Sequence, residues 1–229
     1  MIDNELKDVI ERKLKGTDVQ NQNANMDENT FGGKMNEIFG EVAKNYALNY
    51  LMSDMARRNH ENNEIYIHDL DHYALGDHNC LTFPIDRLLA EGFKTRQTDV
   101  RPAGSLNTAF QLVAVLFQLQ SLNQFGGVSA SHIDWSMVPY VRKSFAKHYK
   151  DGLKYIAKRT EIDYEIELML KNAKDYSIED EEYKAYSPDT WQYAIDMTRK
   201  ECHQSVEAMY HNLNTLQSRS GKFYCPVIQ

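Results

Sequence analysis

A mostly helical protein, with a few extended pieces between residues 60 and 100, is what this sequence predicts. Three observations carry that reading. Apolar residues recur at spacings of three and four through several long stretches. Ser187-Pro188 reads as a helix start, an N-cap followed by proline at the first helical position. Against these, the run EIYIHDL (64–70) is the clearest short concentration of β-branched and aromatic residues.

Taken in order, residues 3–15 form a short helix with Gly16 as its stop. Residues 17–30 (TDVQNQNANMDENT) are rich in side chains that compete for backbone hydrogen bonds, so they read as a loop. After a Gly32-Gly33 turn, Met35, Ile38, Phe39, Val42, Ala43, Tyr46, Ala47, Tyr50 and Leu51 define an amphipathic helix to about Ala56. EIYIHDL is a strand or extended segment, and a second extended stretch surrounds Cys80. The helix from about Ser105 to Gln124 has two apolar stripes, one through Leu106, Phe110, Val113 and Phe117, the other through Leu112, Val115, Leu119 and Leu122. Such a helix must be covered on two faces. One face meets its own core; the other meets either a partner subunit or more of the same monomer. Residues 136–159 form a helix started or interrupted near Pro139. The second half of EIDYEIELMLKNAKDYSIEDEEYKAY is a solvated loop. A last helix opens at Pro188 and, if continuous to Gln217, is roughly 40 Å long at 1.5 Å per residue.

The bulk properties narrow the function classes. The 229 residues suffice for one large domain or two small ones with a sizeable core. A net charge of -7 excludes a nonspecific nucleic-acid binder, which needs a basic face, but leaves room for a local phosphate pocket. No apolar run approaches a membrane span, and the polar start MIDNELKDVIERK is no secretory signal. Cys80, Cys202 and Cys225 are too few and too scattered for a disulfide framework or a four-thiolate zinc site. The expectation is a reduced cytoplasmic protein.

Chemistry concentrates in YIHDLDHYALGDHNCLT (66–82). His68 and His72 with a carboxylate such as Asp77 are the right donor types for zinc or iron. On one straight strand, however, the two histidines lie roughly 13 Å apart at 3.3 Å per residue, too far to share an ion. Cys80 is followed and preceded by polar groups, His78, Asn79 and Thr82, that line a pocket rather than fill a core. Cys202 falls on the apolar stripe of its helix and reads as packing. Two polar-glycine segments, NANMDENTFGGK (23–34) and SLNQFGGVSASHIDW (121–135), permit close approach of backbone to a ligand. VRKSFAKHYK (141–150) adds Arg142, Lys143, Lys147 and Lys150, either a phosphate-binding patch or a solvated helix face.

Beyond composition, four strings stand in a telling order: NANMDENTFGGKM, YIHDLDHYALGDHNCLT, DVRPAGSLNTAFQLVAVLFQLQSLNQFGGVSA and YHNLNTLQSRSG. Together they closely resemble successive segments of the anaerobic (class III) ribonucleoside-triphosphate reductase large chain, over roughly residues 21–221. The resemblance implies an α/β fold, part of the ten-stranded α/β barrel of glycyl-radical and ribonucleotide reductases, with a predominantly helical N-terminal and dimerisation layer. It divides the chain into an N-terminal helix and linker (1–22), a catalytic-domain portion (23–221) holding a dimerisation and effector region (105–150), and a divergent tail (222–229).

The family reduces ribonucleoside triphosphates with a glycyl radical, which an iron–sulfur activating enzyme installs by cleaving S-adenosylmethionine. By resemblance Cys80 is the reducing-side thiol, not the thiyl that starts the chemistry, and His78 and Asn79 lie in the substrate pocket. Deoxynucleotide or ATP effectors are expected at a homodimer seam, with Lys147 on phosphate and Asn107 and Gln111 facing the seam. The family's thiyl cysteine, glycyl radical and zinc-binding cysteines are expected beyond residue 229. KFYCPVIQ (222–229) departs from the pattern, which suggests a truncated or split gene, inactive and marginally soluble alone. Two other readings stand beside this one: a noncatalytic deoxynucleotide-binding dimerisation module, and a metal-dependent hydrolase built on His68, His72 and Asp77. No metal, membrane or nucleic acid is expected under the primary reading.

Overall fold

The computed structural model describes residues 4–15, 31–76, 80–95, 99–123 and 127–215. Within them the chain is built of helices: α1 (Asn4–Lys15), α2 (Phe31–Tyr46), α3 (Asp54–Glu61), α4 (Leu70–Tyr73), α5 (Ile85–Glu91), α6 (Leu106–Asn123), α7 (Ile133–Tyr155), α8 (Tyr164–Lys171), α9 (Glu181–Tyr186) and α10 (Pro188–Thr215). The described strands are β1 (Leu81–Thr82), β2 (Phe93–Lys94), β3 (Asp99–Val100) and β4 (Val128–Ser129). β1 pairs with β4, and β2 pairs antiparallel with β3, Phe93 opposite Val100 and Lys94 opposite Asp99.

The expected barrel portion is therefore corrected. Among the described residues the strands are two residues long and form two separate pairs. A barrel wall needs strands of about five or six residues paired on both sides. The local sequence cuts each strand short. Pro84 follows β1 almost at once and stands as the N-cap of α5. Gly92, at φ 77°, stops α5 in a conformation that a side chain would drive into the Val100 carbonyl. Past β3, Pro102 removes a ladder donor. EIYIHDL forms no strand either. It follows the α3 end, where the Asn62 N–H donates to the Arg58 carbonyl at 2.9 Å, and near its own end Asp69, at a left-handed φ of 53°, turns the chain into α4, which begins at Leu70.

The chain divides into two compact units. The first comprises residues 1–81, 118–129 and 214–229; the second comprises 82–117 and 130–213. In the first, α2 begins at Phe31 and takes in Gly32 and Gly33, so the expected turn lies inside the helix. Small residues, Gly33, Gly40, Ala43 and then Ala47, form its buried face, and α2 packs on α1 and α4. The helix expected to reach Ala56 instead loosens into a π-helical turn at Ala47–Leu51, closed by Met52 N–H to the Ala47 carbonyl at 3.0 Å. It restarts as α3, where Ser53 caps the Ala56 N–H at 3.2 Å.

In the second unit, α7 carries the core. Phe145, Ala146, Tyr149 and Leu153 pack with Ile166, Met169 and Leu170 of α8, Tyr183 of α9, and Ala194 and Ile195 of α10. The Tyr149 hydroxyl donates to the Tyr183 carbonyl at 2.8 Å, and the two rings lie 5.0 Å apart. α7 runs through Pro139 without a break. The stretch expected as a solvated loop instead holds a 3-10 turn (Ala173–Asp175) and α9, whose Tyr183 is almost wholly buried. α10 opens where expected: the Trp191 N–H donates to the Ser187 carbonyl at 2.9 Å, and the Ser187 hydroxyl donates to that of Thr190, also at 2.9 Å. The expected end at Gln217 lies outside the described residues, as do the expected stop at Gly16 and the loop at 17–30.

Of the two α6 stripes, the first is the covered one: Leu106, Phe110 and Val113 are buried, and Phe117 meets Phe83 edge to face at 5.2 Å. On the second, Val115 is exposed, and Leu112 and Leu119 are half-buried.

Candidate functional site

Lysines at positions 143, 147 and 150 share one face of α7, because residues three and four apart are helix neighbours. Lys171 ends α8, and Lys174 sits in the 3-10 turn that follows. These five line one cavity of about 430 Å³, together with Asp151 and Asn172. Its wall includes Ala146, Leu170 and Ala173, all buried members of the core. Arg142 fastens the far side: its Nη1 donates to the Lys174 carbonyl at 2.7 Å. Among the described residues, none of the five lysines forms an ion pair with a carboxylate. Lys143 lies 5.2 Å from the Tyr140 ring centroid.

A second face of α7 holds a polar network. His148 Nε2 lies 2.8 Å from Glu201 Oε2, and the buried Ser144 hydroxyl donates to Glu201 Oε1 at 3.0 Å. Ser144 also accepts the Leu106 N–H at 3.2 Å. That contact caps the first turn of α6, where the N–H groups have no helical partner. Glu201 thus ties α10 and α7 to the start of α6. Its charge, after burial, pushes the Cys202 thiol above its ordinary range. Cys202 is half-buried, in keeping with its expected packing role.

Cys80 is exposed and immediately precedes β1. A Cβ placed on Gly127 would stand 3.6 Å from its Sγ, so the thiol lies directly against the second polar-glycine segment. Two hydrogen bonds hold that juxtaposition: the Leu81 N–H donates to the Gly127 carbonyl at 3.0 Å, and the Ser129 hydroxyl to the Leu81 carbonyl at 3.4 Å. His78 and Asn79, expected in the substrate pocket, lie outside the described residues, as does Cys225.

Of the three expected effector residues, the lysine-lined cavity holds one. Lys147 is in the lysine-lined space, whereas Asn107 and Gln111 stand exposed on α6, one turn apart and in line with Val115. For the metal alternative, His68 Nδ1 lies 2.6 Å from Asp69 Oδ2, and the buried His72 has Nε2 3.6 Å from Asp71 Oδ2. Among the described residues no group of three or more histidine, cysteine or acidic side chains is gathered for an ion. Asp77 lies outside them. Nor is any described helix long and apolar enough to cross a membrane.

Sequence reasoning missed Lys171 and Lys174, because their stretch was assigned partly to loop, and it missed Gly127 and Ser129 beside the thiol. A helical reading of YEIELMLK (164–171) would have ended on Lys171 and pointed to the first of these. No signal in the sequence pairs residue 80 with residue 127.

Comparison with known proteins matches residues 22–224 to the family described as anaerobic ribonucleoside-triphosphate reductase. Among similar proteins, the anaerobic ribonucleoside-triphosphate reductase of Haemophilus influenzae is 26% identical over 219 residues, covering 95% of this chain and 26% of that protein. That of Escherichia coli is 25% identical over 222 residues, covering 96% and 27% respectively. The enterobacteria phage T4 reductase is 26% identical over 222 residues, covering 96% and 31%. The chain thus spans about a quarter to a third of the length of these curated relatives.

Proposed function

Because the chain belongs to the anaerobic ribonucleoside-triphosphate reductase family, we propose that it works in the radical reduction of ribonucleoside triphosphates to deoxyribonucleoside triphosphates, as the part that holds the reducing-side thiol and senses effectors. Cys80 is that thiol, flanked in the substrate pocket by His78 and Asn79. The radical is a glycyl radical that an S-adenosylmethionine and iron–sulfur activating enzyme supplies, seated outside these 229 residues. What this chain's own residues do is narrower. The absence of a side chain at Gly127 leaves room beside Cys80 Sγ, and the hydrogen bonds of Leu81 hold the two segments together. An exposed thiol suits a group that must meet a ribose and then be re-reduced.

Effector sensing rests on α6 and α7. Asn107, Gln111 and Val115 offer an exposed polar and apolar stripe suited to a homodimer seam, and Lys147 supplies a cation for effector phosphate. The observation that carries the proposal is the family match over residues 22–224, a stretch that takes in the exposed Cys80. The noncatalytic deoxynucleotide-binding module is the alternative; it predicts effector binding and self-association without turnover.

Calorimetric titration of dATP, dGTP and dTTP, with mass followed by light scattering, tests the effector half. Saturable binding to a dimer, weakened by Asn107→Ala with Gln111→Ala, is expected; a monomer that binds no deoxynucleotide refutes it. Cys80→Ser is expected to leave effector affinity unchanged, since the thiol serves the substrate. A Cys80→Ser variant that no longer binds effector contradicts the assignment of Cys80 to the reducing side.

A further inference from the structure

Glu201 joins three helices of the second unit through hydrogen bonds whose directions are fixed. Ser144 is 2% exposed, and its Oγ accepts the Leu106 N–H at 3.2 Å. A serine hydroxyl has one proton to give, and that proton goes to Glu201 Oε1 at 3.0 Å. A carboxylate accepts at both oxygens, so His148 Nε2, 2.8 Å from Glu201 Oε2, carries its proton toward it. This is not an activated nucleophile, because the Ser144 proton goes to the carboxylate and not to the histidine. Its beneficiary is the start of α6. There the Thr108 N–H donates to the Ser105 Oγ at 3.3 Å, whereas the Leu106 N–H leaves its own helix for Ser144, 38 residues away. A local cap such as Ser105 stabilises a helix. A cap borrowed from another helix also fixes how the first turn is rotated. Asn107 is the next residue, and Gln111 stands one turn further on, both exposed.

We propose that Glu201, acting through Ser144, is the positioning residue for the exposed face of α6, and sets where Asn107 and Gln111 present their amides. The inference rests on the reading of those two as effector residues at a homodimer seam. It goes beyond that reading by giving α10, through Glu201, a part in the recognition. The far face of α6 is held by packing, with Ala109, Phe110 and Val113 buried. Packing alone lets a helix rock about its apolar stripe; a hydrogen bond at its first residue removes that freedom. His148 holds the second carboxylate oxygen, so Glu201 is kept facing Ser144. Linked hydrogen bonds in a buried site polarise one another, so the carboxylate strengthens the grip of Ser144 on Leu106.

The test compares Ser144→Ala and Glu201→Ala in the full chain with two further variants. Glu201→Gln keeps the side-chain shape and can still accept from Ser144. Ile195→Val trims the core on the same helix and serves as the stability control. Two readouts are taken well below the melting temperature: hydrogen exchange at the Leu106 amide, and calorimetric titration of dATP, dGTP and dTTP. In Ser144→Ala and Glu201→Ala the Leu106 amide is expected to exchange faster, and deoxynucleotide affinity to fall about tenfold. Glu201→Gln should bring both readouts back to within about threefold of wild type. Ile195→Val should lower the melting temperature and move neither, which separates positioning from general stability. If Glu201→Ala does not fold, Ser144→Ala set against Glu201→Gln decides the matter. Equal weakening by Ile195→Val overturns the inference and leaves the effector reading standing. So does a Ser144→Ala chain whose Leu106 amide exchanges faster while its affinity is unchanged. A Glu201→Gln variant as weak as Glu201→Ala overturns the hydrogen-bonded route from α10. A wild-type chain that binds no deoxynucleotide refutes the effector reading itself, and the inference falls with it.

Discussion

Helices α2 and α7 both carry bulky apolar residues at helical spacing, and the two end in opposite surroundings. On α7, Phe145, Tyr149 and Leu153 are at most 1% exposed; on α2, Phe31, Phe39 and Tyr46 are 82%, 49% and 50% exposed. α7 divides its surface into three faces: aromatic and aliphatic residues in the core, Ser144 and His148 on Glu201, and lysines on the cavity. α2 instead buries the neighbouring small-residue face, Gly33, Gly40, Ala43 and Ala47, against which α1 and α4 pack. Periodicity marks a face that can be buried; it does not say which face is chosen. Small residues allow close backbone approach, and that can outcompete a broader apolar stripe for the partner helix.

The sharpest way to break this comparison is to cut the same aromatic from each helix. Phe145→Ala is expected to cost about 3–5 kcal/mol in a denaturant titration, through lost burial and the cavity left behind. Phe39→Ala should stay within about 0.5 kcal/mol, because its side chain is already half in water. Equal losses would mean that the α2 stripe is covered in solution as thoroughly as that of α7.

A smaller effect sharpens the same contrast through pH. Burial pushes the Tyr149 phenol up to about 12, and pushes Tyr183 up as well. The unfolded chain releases those protons from an ordinary value of 10.0, so it binds fewer protons than the folded chain above that pH. The core's contribution is therefore fully present below pH 10 and drains away as pH rises toward about 12. Urea unfolding at about pH 9 and about pH 11.5 measures it, and Tyr149→Phe should flatten the decline. A wild-type stability that does not fall over that interval would show the phenols are not buried as described.

How much of this was readable beforehand follows from which interactions are local. The Ser187-Pro188 start, the helix through Leu106–Asn123 and the covered stripe of Leu106, Phe110 and Val113 all depend on residues within a few turns, and periodicity found them. Lys143, Lys147 and Lys150 were legible as one helix face for the same reason. The barrel was not a local inference but an implication of resemblance, and Pro84 and Gly92 show why its strands do not form here. Lys171 and Lys174 were lost because a charged stretch looks solvated, while Ile166, Met169 and Leu170 on α8, with Ala173 in the turn after it, anchor it to the core. Gly127 against Cys80 is a contact between segments far apart in sequence, for which a single sequence carries no signal.

The smallest expected effect is also the most diagnostic, because it changes sign between the two helices. Replacing a helical glycine by alanine gains about 0.5–1 kcal/mol from reduced backbone entropy, wherever the new methyl fits. At Gly40 on α2 the added Cβ would stand 3.4 Å from Asp71 Cβ, an ordinary contact, so Gly40→Ala should stabilise by about that amount. At Gly152 on α7 the same atom would stand 2.8 Å from Thr190 Cγ2 and 3.1 Å from Tyr193 Cδ1. Thr190 is wholly buried and hydrogen-bonded to Ser187 at the start of α10, so it has little room to retreat. Crowding of that kind costs about 1–3 kcal/mol and outweighs the helix gain. Thermal melts of the two variants should therefore move in opposite directions. If both rise, the α7–α10 contact is looser than its geometry indicates; if both fall, the small-residue face of α2 is packed as tightly as the core it was contrasted with.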